Sequence, residues 1–195
     1  MSFVGKHANI VELVGANTER IRKQDVFLIF EFCENGNVLE YILARREYFV
    51  DQFNLSESSK HVQNIKSTTV EYENGISRRL CSGDLIQWAI EIATGMDFIA
   101  LKNVYHGDLA ARNILLTRHL VAKVGDFGLA KELKDYSLYV QRMNCPLPLK
   151  WMPSHATQPL YDILLKCWES QPQDRPSFSD LMQMFQHELD KLPIN

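Results

Sequence analysis

The chain has 195 residues, a formal net charge of −3, 46% hydrophobic and 23% charged residues, proportions that suit one soluble globular domain or one domain with an insertion. No basic stripe marks a nucleic-acid footprint, no apolar run is long enough to span a bilayer, and "MSFVGKHANIVELVGA" lacks the basic and apolar regions of a secretory signal. The four cysteines (Cys33, Cys81, Cys145 and Cys167) are scattered with no C-x-x-C pair, which argues against a disulfide framework or zinc site and for reduced thiols in the cytoplasm.

"IVELVGA" at 10–16 and "VFLIFEFC" at 26–33 are short, apolar and rich in β-branched or aromatic residues, so they predict two buried strands. The polar "NTERIRKQD" between them suits a hairpin loop. "ENGN" at 34–37 signals a turn, and "VLEYILARREY" at 38–48 predicts a short amphipathic helix. From Asp51 to Ser82 the composition turns to Ser, Asn, Thr and Gln with no sustained period, which predicts a flexible, exposed insert. "GDLIQWAIEIATGMDFIALK" at 83–102 carries the strongest helical periodicity, with Asp84 as its candidate N-cap. Leu85, Trp88, Ala89, Ile92, Met96 and Ile99 line one face, and Ile86, Ile90, Ala93 and Phe98 widen it, so the helix expects burial on more than one side. A short strand-like pair follows around "LVAKVGDFGLAK", then a tyrosine-bearing loop. Residues 159–192 predict two helices around "CWESQPQDRPSF", the last with Leu181, Met182, Phe185 and Leu189 on its buried face.

"HGDLAARNIL" at 106–115 is the stretch that carries chemistry. Phosphoryl transfer needs a carboxylate to orient the attacking hydroxyl and oxygen ligands for magnesium shared with substrate phosphates. Asp108 fits the first need; Asn113 and Asp126, the latter in "DFG" at 126–128, fit the second. The order H-x-D-L-x-x-x-N followed by D-F-G resembles the protein-kinase signature set. "DLAARN", with Arg112 four residues after the Asp, "PLPLKWM" at 146–152 and "CWESQPQDRPSF" at 167–178 resemble protein tyrosine kinases. "GKHANIVELVGA" and "FEFCENGNVLEYI" resemble their fourth and fifth strands, hinge and following helix, and the polar insert fits receptor-type members such as the fibroblast, platelet-derived and vascular endothelial growth factor receptors.

That resemblance implies an α+β, protein-kinase-like bilobal fold. Residues 1–33 would be a remnant of the small β lobe with the hinge, 34–49 the helix after it, 50–82 a kinase insert, and 83–195 a mainly helical large lobe. It implies ATP and Mg²⁺ as ligands and protein tyrosine as substrate. Asp108, Arg112 and Asn113 would be catalytic, and Asn113 and Asp126 would hold the metal. Phe30 would stand as gatekeeper, the backbone of Glu31 and Cys33 would bind adenine, and Leu115 would floor the pocket. Leu13, His106 and Phe127 would stack as an internal spine, with His106 a packing residue. Tyr136 and Tyr139 would be phosphorylation candidates, and Tyr72 in "EYENG", with Asn74 two residues on, resembles a docking motif for an adaptor SH2 domain.

Departures from the family pattern carry their own expectations. The glycine-rich loop and the nucleotide-holding lysine have no counterpart, as though the first strands were missing. After Met152 the chain jumps from the start of the A-P-E segment to a late helix, which implies an internal deletion that removes the central helix. Arg175 would lose its usual glutamate, and the 83–102 helix would lose a packing partner and expose apolar surface. Gly107, where the family carries an arginine, removes a clamp for activation-loop phosphate. Three readings follow: an active tyrosine kinase, a catalytically impaired pseudokinase-like module that binds full-length kinase relatives, or a fragment of a plasma-membrane receptor's intracellular part.

Overall fold

A computed structural model describes residues 5–20, 25–53, 69–72, 75–132 and 157–192. Its elements are mixed: small antiparallel strand pairs and four helices among the described residues, the α+β, kinase-like architecture that the motifs imply. They gather into two contact units. One takes residues 1–41 and 91–138; the other takes 42–90 and 139–195.

In the first unit, β1 (Leu13–Arg20) and β2 (Asp25–Phe30) form an antiparallel ladder from Leu13↔Phe30 to Arg20↔Asp25, with irregularities between Leu13 and Gly15 and between Asn17 and Arg20. β1 is shifted by about three residues from the predicted stretch, because Ile10 and Val11 do different work. Ile10 bridges Val124 in parallel, and Val11 donates its amide to the Val124 carbonyl at 2.9 Å, so these two buried residues join a second ladder. That ladder is β6 (Ile114–Leu116) against β7 (Ala122–Val124), whose Ile114, Leu116, Ala122 and Val124 are all buried. Along the chain α2 (Ser82–Ala100) is followed by β5 (Val104–Tyr105), which pairs with β8 (Lys131–Glu132).

Asn9 ties these pieces together. Its Nδ2 donates to the Ala122 carbonyl at 3.1 Å, and its own carbonyl accepts from the Val124 amide at 2.8 Å. The Ala122 amide in turn donates to the α2 residue Glu91 at 2.6 Å. α2 approaches so closely that a Cβ on Gly95 would lie 2.6 Å from the Asn9 carbonyl oxygen, a distance only glycine permits.

The second unit holds the end of α1 (Val38–Arg45), the hairpin of β3 (Thr69–Tyr72) with β4 (Gly75–Arg78), the first half of α2, then α3 (Gln158–Cys167) and α4 (Phe178–Asp190). The β3–β4 pairing, Thr69↔Arg78 through Tyr72↔Gly75, falls inside the stretch read as a flexible insert. Val70 and Ile76 are β-branched, which favours strand pairing. In the same unit Leu80, Cys81, Ser82 and Gln52 are buried, and Val50 bridges Cys81 in parallel.

Asp84 is not the N-cap. The helix opens at Ser82, and Asp84 reaches back to accept the Cys81 amide at 3.0 Å, the N3 half of a capping arrangement. Gln52 takes over another free amide at this end, accepting from Gly83 at 2.8 Å. α4 begins with a complete capping box, Ser177 and Asp180 each accepting the other's backbone amide. Leu181, Met182, Phe185 and Leu189 are half-buried there; the fully buried position is Glu188, paired with Lys191 at 2.5 Å.

Exposed apolar surface occurs, though not where it was expected. Every large apolar side chain of α2 is buried or half-buried, with Ile86, Trp88, Met96 and Ile99 inside. Exposure concentrates on β1–β2 instead: Phe27 is 63% exposed, Ile29 55%, and Phe32 just beyond the ladder 82%. Phe27 and Ile29 point to one face, Val26, Leu28 and Phe30 to the other, and all five are exposed. Among the described residues the ribbon pairs with no third strand, and two strands alone bury little of either face.

Candidate functional site: the His106–Asn113 loop, the DFG turn and the hinge

The loop that leads from β5 to β6 gathers the predicted catalytic residues. A 3₁₀ turn at Ala111–Asn113 brings Arg112 and Asn113 back over Asp108. Arg112 Nη2 donates to Asp108 Oδ1 at 2.6 Å, and Asn113 Nδ2 donates to Asp108 Oδ2 at 2.9 Å and to its carbonyl at 2.8 Å. Both carboxylate oxygens are thereby fixed while each keeps a lone pair for a further donor. The Arg112 guanidinium first, and the Asn113 amide next, hold the Asp108 carboxyl below the usual carboxylate range.

His106 anchors the loop from inside. The ring is buried, its Nε2 lies 2.8 Å from the Gly125 carbonyl, and its Nδ1 accepts the Asp108 amide at 3.3 Å. A carbonyl can only accept and an amide can only donate, so the ring is the neutral Nε2–H tautomer. Phe127 packs against it edge-on with centroids 4.8 Å apart, which places two of the three expected spine residues together. Leu13, the third, pairs with Phe30 in the β1–β2 ladder.

Asp126 stands at the mouth of the DFG turn. Its backbone is left-handed at φ 53°, its carboxylate accepts the Gly128 amide at 3.2 Å, and it is exposed. Asn113 is buried, and with both its Nδ2 bonds directed at Asp108 its Oδ1 has no partner among the described residues. Among those residues no three His, Cys, Asp or Glu side chains cluster as a self-sufficient metal site. An amide oxygen and a carboxylate are hard oxygen donors, the ligand type that magnesium accepts alongside phosphate and water.

At the hinge, the Glu31 carboxylate accepts Lys123 Nζ at 2.9 Å and the Glu12 amide at 2.6 Å, fastening β2 to β7. The Glu31 carbonyl and the Cys33 amide have no hydrogen-bond partner among the described residues. They lie two residues apart, one an acceptor and the other a donor. Cys33 is buried, and burial followed by Glu31 pushes its thiol up, so it stays protonated. Phe30 is 40% exposed. Leu115 is half-buried, bridges Asn37 and packs against Gly125.

Several sequence-based expectations sit elsewhere. Tyr136 and Tyr139 lie outside the described residues, while Tyr72 occupies the last position of β3, opposite Gly75. Arg175 donates Nε to the Glu169 carbonyl at 2.8 Å. Sequence reading missed the Glu31–Lys123 pair, since 92 residues separate its members and nothing local links them.

A buried histidine thus sits under a clamped aspartate, followed by an asparagine with a free oxygen and a left-handed DFG aspartate. The chain matches the model of the protein tyrosine and serine/threonine kinase family over residues 1–158 and 152–185, and it belongs to that family. It is 27% identical over 271 aligned residues to vascular endothelial growth factor receptor 3 of Danio rerio, across 98% of this chain and 20% of that protein. Similarity extends to the tyrosine-protein kinase receptor torso of Bombyx mori, 25% identical across 94% of this chain and 31% of the relative. Mast/stem cell growth factor receptor kita of Danio rerio is 27% identical across 97% and 29% respectively. The chain thus spans less than a third of the length of these receptor tyrosine kinases.

Proposed function

We propose that the chain carries the phosphotransfer machinery of a receptor-type protein tyrosine kinase. The observation that supports this most directly is Asp108, clamped by Arg112 and Asn113 while its open lone pairs remain available. In the proposed reaction Asp108 accepts a hydrogen bond from a tyrosine hydroxyl and aims its oxygen at the γ-phosphorus of ATP. The new O–P bond forms as the bond to the β-phosphate oxygen breaks, ADP leaves, and the phenolic proton passes to Asp108 and on to water. A carboxylate held below its usual range is a weak base, so Asp108 contributes more through orientation than through early proton removal. Asn113 Oδ1 and Asp126 would hold Mg²⁺, which offsets phosphate charge when bound. The Glu31 carbonyl and Cys33 amide would receive the adenine edge, beside Phe30 and above Leu115.

Catalysis is impaired in our reading, because an internal deletion after Met152 would remove the central helix of the large lobe. An internal deletion after Met152 is supported by the family match falling into two pieces that meet at 152–158, and by a 271-residue alignment for a 195-residue chain. Phosphate transfer to a poly-Glu/Tyr substrate, with radiolabelled Mg-ATP, tests the proposal. Activity that disappears in Asp108→Asn supports it, and wild-type transfer no higher than that variant refutes catalysis.

A second reading, a binding or regulatory module, is favoured by the exposed apolar β1–β2 ribbon and by Tyr72 at the end of β3. Phosphorylated Tyr72 would dock an SH2 adaptor, and the chain would act on the intracellular side of a plasma-membrane receptor. No helix among the described residues is long and apolar enough to cross a membrane. A phosphorylated peptide spanning Tyr72 that captures no SH2 domain would remove this docking role.

A further inference from the structure

The residue between His106 and Asp108 is a glycine with φ +83°, a backbone conformation that L side chains rarely adopt. Its neighbours on both sides are fixed. His106 is buried and tied to Gly125 and Phe127; Asp108 is tied to Arg112 and Asn113. One more bond runs across the glycine itself, from the Asp108 amide to His106 Nδ1 at 3.3 Å. For a residue's amide to reach the side chain two positions earlier, the chain must turn back on itself at the residue between, and that residue is Gly107.

We infer that Gly107 is a positioning residue that makes the setting of Asp108 intrinsic to the backbone, so that the loop holds its working shape without a phosphate clamp. An arginine at 107 would face the left-handed conformation with a Cβ and would depend on partners of its own to stay there. Glycine meets the same demand without them. Loss of the clamp and freedom from it are then one substitution: the side chain that would answer to a phosphorylated loop is absent, and the geometry that it would have enforced is supplied by the turn. This inference rests on the kinase reading only for the meaning of Asp108's position; the turn itself is a property of the loop.

The test uses the full chain, with hydrogen exchange of the Asp108 amide and the ¹⁵N signals of the His106 ring. Wild type is expected to show a protected Asp108 amide and an Nε2–H ring. Gly107→Ala and Gly107→Arg should each speed exchange roughly five- to thirtyfold, the population effect of a strained non-glycine turn, and disturb the Nδ1 signal. Gly107→Asn, which tolerates the left-handed region, should restore most of the protection. Equal protection in wild type and Gly107→Ala would overturn the inference, and so would an asparagine variant no better than alanine. Should the alanine and arginine variants fail to fold, the asparagine variant decides alone: near-wild-type protection supports the turn, lost protection refutes it. In wild type, Tyr136→Phe/Tyr139→Phe should leave both signals unmoved; a shift would show that loop phosphate does set Asp108. Mg-ATP titration of the same samples separates the two claims, since absent nucleotide binding counts against the kinase reading while the exchange data report on the turn.

Discussion

Asp108 owes its state to two neighbours, and each can be removed singly. Arg112→Gln should let the Asp108 carboxyl rise toward the ordinary carboxylate range, with Asn113→Ala doing so to a smaller degree, as a ¹³C carboxyl titration would show. The sign for stability follows. A carboxylate depressed in the folded state favours folding above its unfolded value, and that contribution fades as pH falls through the folded one. Asp108 therefore stays charged throughout neutral pH, and any acid limb in activity there must come from another group. Gly95 is decided by sterics. Gly95→Ala would press a methyl onto the Asn9 carbonyl, and overpacking of this kind costs about 1–3 kcal/mol. Thermal unfolding should register this as a Tm lower by roughly 2–4 °C per kcal/mol for a chain of this size. The Asp108–Arg112–Asn113 cluster was legible as a motif because its members lie within six residues. Asn9 and Gly95 were not, because their contact joins distant segments.

Among the elements, α4 shows a cap that can be tested. Ser177→Ala removes the hydroxyl that accepts the Asp180 amide, and loss of such a cap costs about 0.5–2 kcal/mol. The same hydroxyl is the first cause holding the Asp180 carboxyl below its usual range, with the Ser177 backbone second. The reciprocal bonds thus persist above the unfolded carboxylate value and weaken in acid, which far-UV dichroism of wild type and Ser177→Ala at pH 3 and 7 would follow. β1–β2 presents the opposite case, an element with too little to pack against. Ile29→Thr keeps the β-branched shape on an exposed face, so stability should change by less than about 0.5 kcal/mol while binding of an apolar dye falls. A large loss of stability would mean that the ribbon is covered in solution. Helix α2 was readable from periodicity to within two residues at each end, whereas its cap was misplaced because Asp84 serves from inside the first turn.

For the molecule as a whole, nucleotide binding is the decisive equilibrium. If the hinge edge and the Asn113–Asp126 pair receive Mg-ATP, saturation at about 100 times Kd should stabilise the fold by about 2.7 kcal/mol, read as a raised and cooperative melting transition. An unchanged transition at millimolar Mg-ATP would leave the binding-module reading in possession. Family membership was settled by the sequence alone, because catalytic motifs are local strings whose spacing chemistry constrains: Asp108, Asn113 and Asp126 stand close along the chain and in a fixed order. Only the tertiary structure decided which groups remain open, namely Asn113 Oδ1, the Glu31 carbonyl and the Cys33 amide. It also moved the exposed apolar surface from the long helix to the β1–β2 ribbon, and turned Gly107 from a missing arginine into a left-handed turn. The physical reason is the same in each case. Openness, burial and backbone strain depend on what lies across a contact, and a one-dimensional pattern names a residue's chemistry without naming its neighbours in space.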